Sequence, residues 1–171
     1  MSTPPDALQR VRPLIELPAL AQRAAELLVT PQTRLPLSPE EAAHVVAQMG
    51  VVQFPPGATL IREGDEQRTG HLLLLLEGEV QVDTGEVPIS VLGTGNIIGE
   101  MSLIDGAPRS AQCTAVGPVL AAGLSRRGLE QLIDEQPRAA AKLVTGLAQR
   151  LADRLRALGQ QVQMLRQIQG S

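Results

Sequence analysis

"IIGEMSLIDGAPRSAQC", residues 97–113, is apolar at both ends and carries in its middle a Gly-Glu pair and a Pro-Arg pair. Flanks of this kind are made for burial, so the stretch commits a carboxylate, Glu100, and a guanidinium, Arg109, to places beside a core. Charged groups are kept there only when something pairs with them. The local reading is a strand ending at Ile98, a glycine at 99 that allows close backbone approach, and one helical turn over "EMSLI". A "DGAP" turn at 105–108 then brings the chain back, so that Arg109 opens the next strand. The free amides of the helical turn and the guanidinium would face each other across a concavity fit for one phosphate. A carboxylate beside an anion requires a ligand that also donates hydrogen bonds, and a phosphate fused to a ribose meets both demands.

Working outward, residues 51–125 consist of short apolar segments separated by Gly, Pro and Asp: "VVQF", "ATLI", "HLLLLLEG", "EVQVD", "VPISVLG", "NII", "SAQCTAV" and "VLAAGLS". Short strands at close spacing predict an antiparallel sandwich or barrel. Upstream, "LPALAQRAAELLV" (17–29) has helical apolar spacing. A second helix starts at Ser38 as N-cap, with Pro39 at its first position and Glu41 completing a capping box, and Gly50 is expected to end it. Downstream, "SRRGLEQLIDEQ" is a short amphipathic helix, and a long helix covers about 138–168. In the long helix Val144, Leu151, Leu158 and Leu165 recur every seven residues, with Ala148, Leu155 and Val162 between them. That is the pattern of a two-helix seam, and it predicts a homodimer through the 144–165 heptads in preference to packing on the chain's own body.

Composition narrows the functional classes. At 171 residues the chain supports one domain with one core. It contains no Trp, no Tyr and a single Phe, Phe54, so the aromatic platforms on which single-stranded nucleic acid stacks are missing. Residues 51–137 hold five basic and twelve acidic side chains, whereas 138–171 hold six basic and one acidic. An acidic body lacks the basic footprint of a duplex-DNA reader, and the arginines 150, 154, 156 and 166 read as a solvated helix face in preference to a nucleic-acid or lipid contact. A lone Cys113 excludes an internal disulfide and a multi-cysteine metal site, and reads as a small buried hydrophobe. His44 and His71 have no ligand spacing, so no metal is expected. No apolar run approaches a bilayer span and the first ten residues lack a signal core, which predicts a cytoplasmic protein without a membrane partner. No hydrolytic or transfer constellation and no Gly-Lys phosphate loop is present, so catalysis is not expected.

"GEMSLIDGAPRSA" (99–111) resembles the phosphate-binding cassette of cyclic nucleotide-binding domains, as found in catabolite-activator-type regulators, the regulatory subunits of cyclic AMP-dependent kinase and nucleotide-gated channels. "FPPGATLIREGDE" (54–66) and "LLLLLEGEVQV" (72–82) resemble the family's opening and central strands, and the likeness runs from about 38 to 155. It implies an α+β, mainly β fold: an antiparallel β-roll or jelly-roll-like barrel with N-terminal helices and a long C-terminal helix that serves as lid and dimerisation element. The expected units are a helical lead-in at 1–37, the β-roll domain at 38–137 and the long helix at 138–171.

Carried onto matching positions, the resemblance implies that Glu100 accepts from the ribose 2'-OH and that Arg109 binds the cyclic phosphate. Ser110 would add a hydroxyl, and backbone amides near Gly99, Met101 and Ser102 would complete the cradle. On the lid helix, the region of Asp153, Arg154 and Leu155 is expected near the purine, with Arg154 as the candidate contact. Ile98 stands where the family often has an aromatic, which alters packing more than chemistry.

The function expected is a cytoplasmic receptor for cyclic AMP that signals to an effector protein by closing its C-terminal helix. The chain ends at "RQIQGS", which leaves no room for a DNA reader after the long helix, so DNA is not expected as a partner. Because Ser110 can also favour guanine in this family, cyclic GMP stays open, as does a cyclic dinucleotide. The rival reading is a ligand-free dimeric scaffold in which Glu100 and Arg109 form a structural pair in a degenerate pocket.

Overall fold

Five consecutive leucines, Leu72–Leu76, are all at or below 2% exposure, which a strand achieves only when both of its faces are covered. In the computed structural model, which describes residues 11–64, 71–85, 87–105 and 111–170, these leucines form the body of strand β3 (His71–Glu77). Leu73 and Leu75 point into an apolar core shared with Val52, Phe54, Ile98, Cys113 and Ala121. Leu72, Leu74 and Leu76 point the other way, into a second core that contains leucines of the helices.

Two four-stranded antiparallel sheets enclose the first core. One has the order β1 (Gly50–Phe54), β8 (Val119–Ser125), β3, β6 (Ile97–Ile98). The other runs β2 (Thr59–Ile61), β7 (Gln112–Ala115), β4 (Val80–Thr84), β5 (Val87–Leu92). Neighbours in the sheets are seldom neighbours in sequence, which gives the β-roll its wrapped character. The fold is mostly antiparallel β with helices at both chain ends, as the spacing of short strands predicts.

The helices cover the outer face of the β3 sheet. A 3-10 turn at Leu14–Glu16 leads into α1 (Pro18–Leu28) and α2 (Pro39–Val46). At α2 the capping box is present: Ser38 Oγ accepts from Glu41 N, and Glu41 Oε1 accepts from Ser38 N. The helix stops at Val46, however, and Gly50 does not terminate it; Gly50 opens β1, paired with Gly123. Gly50 is instead the point at which the backbone passes Val11, whose Cγ1 lies 3.1 Å from where a Cβ would stand.

After β8, Ser125 caps α4 (Arg126–Glu135), accepting from Gly128 N, and Pro137 starts α5 (Pro137–Gln169). At 33 residues α5 is ~50 Å long. Its first half is anchored by buried Ala139, Ala140, Leu143, Gly146 and Leu147. Beyond Arg154 it leaves the body, and Leu155, Leu158, Val162 and Leu165 are 50–71% exposed. No described helix is long and apolar enough to cross a membrane.

The first half of α5 is fixed to the N-terminal segment at Gly146 and at Lys142. Gly146 lies so close to Leu35 and Pro36 that a Cβ would sit 2.7 Å from side-chain carbons of both. Lys142 Nζ donates to Glu41 Oε1 at 2.8 Å, so the residue that closes the α2 capping box also binds α5. The Lys142 ammonium, aided by Ser38, holds the Glu41 carboxyl below its ordinary range.

Gly146→Ala should therefore lower stability by about 1–3 kcal/mol through overpacking. Gly159→Ala, at a helical site with nothing within 4 Å, should raise it by about 0.5–1 kcal/mol; chemical denaturation of the two variants reads both. A carboxyl whose folded-state pKa is depressed stabilises the fold above its unfolded value and loses that contribution as the pH falls through the folded value. Glu41→Gln should accordingly melt below the wild type at neutral pH, and the difference should vanish in acid below 4.5, once both states are protonated.

Candidate functional site

The buried strand β6 delivers the chain to Gly99, which has φ +80, a left-handed conformation that a side chain would strain. That bend turns the chain directly into α3 (Glu100–Asp105), which packs on β3 and touches α5. Leu103, 1% exposed, anchors α3 in the core shared with α4 and α5. Glu100 is the first residue of α3 and is only 3% exposed.

A carboxylate so deeply placed needs a counter-charge, and α5 supplies it. Arg154 Nη2 lies 3.3 Å from Glu100 Oε1, with Arg154 itself 57% exposed. The contact is one of charge more than of hydrogen bonding, because Oε1 is buried and has no hydrogen-bond partner among the described residues. One helical turn earlier and on the same face, Arg150 is half-buried. Its Nη1 donates to the Thr33 carbonyl at 2.9 Å, while its Nε is buried without a hydrogen-bond partner among the described residues. Burial lowers the Arg150 pKa, the nearby Glu100 charge opposes that shift, and Arg154 and Arg34 reinforce it.

The loop between α1 and α2 meets the same stretch of α5. Thr33 is fully buried, its hydroxyl donating to the carbonyls of Leu28 and Thr30. Arg34 takes a positive φ of 55, unusual outside glycine, and its Nη1 reaches Asp153 Oδ2 at 3.3 Å. Asp153 also holds Arg156 through Oδ1 at 3.2 Å. Arg154 and Arg150 thus set positive charge beside the buried Glu100 carboxylate, and Arg34, paired with Asp153, lies near Arg150.

Of the residues marked by the sequence, Gly99, Glu100, Met101 and Ser102 run consecutively through the β6–α3 junction, and Arg154 is brought to Glu100 from 54 positions away. Arg109 and Ser110 lie outside the described residues. Arg154 and Arg150 correct the reading of the basic residues of α5 as a purely solvated face: Arg154 is paired and Arg150 is partly buried. Arg150 and the 30–36 loop carry no sequence signal, because their partners lie more than a hundred residues away.

Chemically, a buried carboxylate under a cation on a peripheral helix can accept hydrogen bonds from hydroxyls. Among the described residues no group of three His, Cys, Asp or Glu side chains could hold a metal ion.

Comparison with known proteins is consistent with this geometry. Residues 51–136 match the family model "Cyclic nucleotide-binding domain". The chain is 28% identical over 120 residues to a CRP-like cAMP-activated global transcriptional regulator of Mycobacterium tuberculosis, covering 67% of this chain and 53% of that protein. It is 33% identical over 97 residues to a cAMP-dependent protein kinase regulatory subunit of Emericella nidulans, covering 57% of this chain and 24% of the subunit. The chain thus spans about half of the first relative and a quarter of the second. Among solved structures, a cyclic nucleotide-binding domain from Methylobacillus flagellatus superposes with a TM-score of 0.69 at 34% identity, covering 81% of this chain and 80% of that one. The catabolite activator protein of Thermus thermophilus gives 0.68 at 30% identity, covering 78% and 62%. With the β-roll, the Gly99 bend into a buried Glu100 and a family match over half of its length, this chain belongs to the cyclic nucleotide-binding domain family.

Proposed function

We propose that the protein is a cytoplasmic, non-catalytic receptor for a cyclic nucleotide, cyclic AMP first, that signals to a partner protein through α5. The observation that carries this reading is the state of Glu100, a buried carboxylate whose Oε1 accepts no hydrogen bond from the described residues. A ribose hydroxyl would supply the missing donor. Arg109 would hold the cyclic phosphate, with Ser110 and the amides near Gly99, Met101 and Ser102 completing the cradle. The cAMP-activated regulator and the cAMP-dependent kinase subunit among the relatives support cyclic AMP as the first ligand to try.

Signalling requires that ligand favour one position of α5 over another. Glu100 offers the means, since Arg154 and a ribose hydroxyl address the same carboxylate. The ligand-free scaffold is favoured only in so far as Arg154 already supplies a charge to Glu100.

Homodimerisation through the 144–165 heptads is part of the same proposal. Of the stripe, Leu155, Leu158, Val162 and Leu165 stand exposed, whereas Val144 packs against the chain's own core and Leu151 is half-buried. An isolated helix of that length is marginal in water without a partner for its apolar face. A second copy provides an identical seam with a/d spacing.

Calorimetric titration of nucleotide-stripped protein with cyclic AMP should give micromolar or tighter binding. Arg109→Ala should abolish it, and Glu100→Gln should weaken it about tenfold or more, the scale of a hydrogen bond to a charged group. Binding of cyclic GMP or a cyclic dinucleotide alone would replace the ligand but keep the site. No heat with any of them from folded protein would favour the scaffold. In sedimentation, the wild type should run with the mass of two chains, and Leu158→Asp with Val162→Asp should run as one.

A further inference from the structure

The C-terminal end of α3 is capped from a distance. A short helix leaves its last carbonyls without intrahelical partners, and they carry partial negative charge. In α3 these are Leu103 O and Ile104 O, which accept from Arg126 Nη2 at 3.1 and 3.2 Å. Arg126 is the first residue of α4, more than twenty positions along the chain, at the point where β8 gives way to the helical pair that ends in α5. A local cap would satisfy the carbonyls equally well. A cap that comes from α4 ties the cassette helix to the element that carries Arg154.

Helix α3 is therefore held at both ends by one helical unit. At its first residue Glu100 faces Arg154 of α5, and at its last turn the carbonyls hold Arg126 of α4. Between the two, Leu103 shares a continuous apolar cluster with Leu129 and Leu132 of α4 and Leu143 and Leu147 of α5. If a ligand hydroxyl takes Glu100 from Arg154, the first tie is released and the second persists.

We infer that Arg126 is a positioning residue for ligand binding: it is the pivot that keeps α3 fixed to the α4–α5 pair and passes a displacement of the cassette into α5. This rests on the receptor reading above. Arg126 touches no ligand; it acts through the α3 carbonyls. Lysine, whose ammonium can also donate to both carbonyls, should largely replace it, whereas alanine should not.

The test is titration of wild type, Arg126→Ala and Arg126→Lys with cyclic AMP, combined with hydrogen exchange of the α3 and α5 amides with and without nucleotide. The expected result is about tenfold weaker binding in Arg126→Ala, near-wild-type binding in Arg126→Lys, and loss in Arg126→Ala of the ligand-induced change in α5 exchange. If Arg126→Ala does not melt cooperatively, Arg126→Gln, which keeps donors and loses the charge, takes its place with an intermediate affinity expected. An alanine variant that melts lower but binds as tightly, with the α5 response intact, would make Arg126 a structural cap only and overturn the inference. A wild type that binds no cyclic nucleotide would remove the receptor reading and this inference together, an outcome distinct from equal binding by wild type and variant.

Discussion

A strand buried on both faces must be covered twice, and that requirement on β3 organises the molecule. Leu73 and Leu75 need a second sheet, which closes the β-roll; Leu72, Leu74 and Leu76 need helices, which must then pack on the outer face of the roll. The helices come from both ends of the chain, so α1, α2, α4 and α5 meet on one side of β3. Because β6 pairs with β3 and leads straight into α3, the cassette helix emerges under the helices that cover the sheet. The proximity of Glu100 to α5 is a result of this layering.

Electrostatics then refines what the apolar layers impose. The body is acidic and the long helix is basic, yet most of those charges are exposed and contribute little individually. The pair that differs is Glu100 with Arg154, since one member has left water and the other has not. Removing the cation would leave an uncompensated buried charge, and replacing it with another donor would not. Such a site favours exchange of partners, and a site with both charges buried would favour a fixed pair.

Much of this was legible in the sequence. Five leucines in a row, the capping box at Ser38 and the Gly-Glu that turns β6 into α3 each have a local physical meaning. What the sequence hid are contacts across long separations: Arg126 on the α3 carbonyls, Arg150 on the Thr33 carbonyl and Arg34 on Asp153. An arginine that caps a distant helix is written like any arginine on a soluble face. Gly50 was misleading for a related reason, because a glycine after a helix reads as its end, whereas here it is selected by close passage of residue 11 at the start of β1.

The long helix presents two stripes to two different surroundings. Leu143, Leu147, Arg150 and Arg154 face the body and the cassette; Ala148, Leu155 and Leu158 lie on the outward stripe proposed as the seam. Neighbouring residues are about 100° apart around a helix, so the stripes are rigidly geared to each other. Any roll of α5 about its own axis that carries Arg154 away from Glu100 must turn Leu155 through the same angle. The helix would then act as a shaft, and two copies joined along it would share one angle of rotation, so that a change at one cassette would arrive at the other as torque.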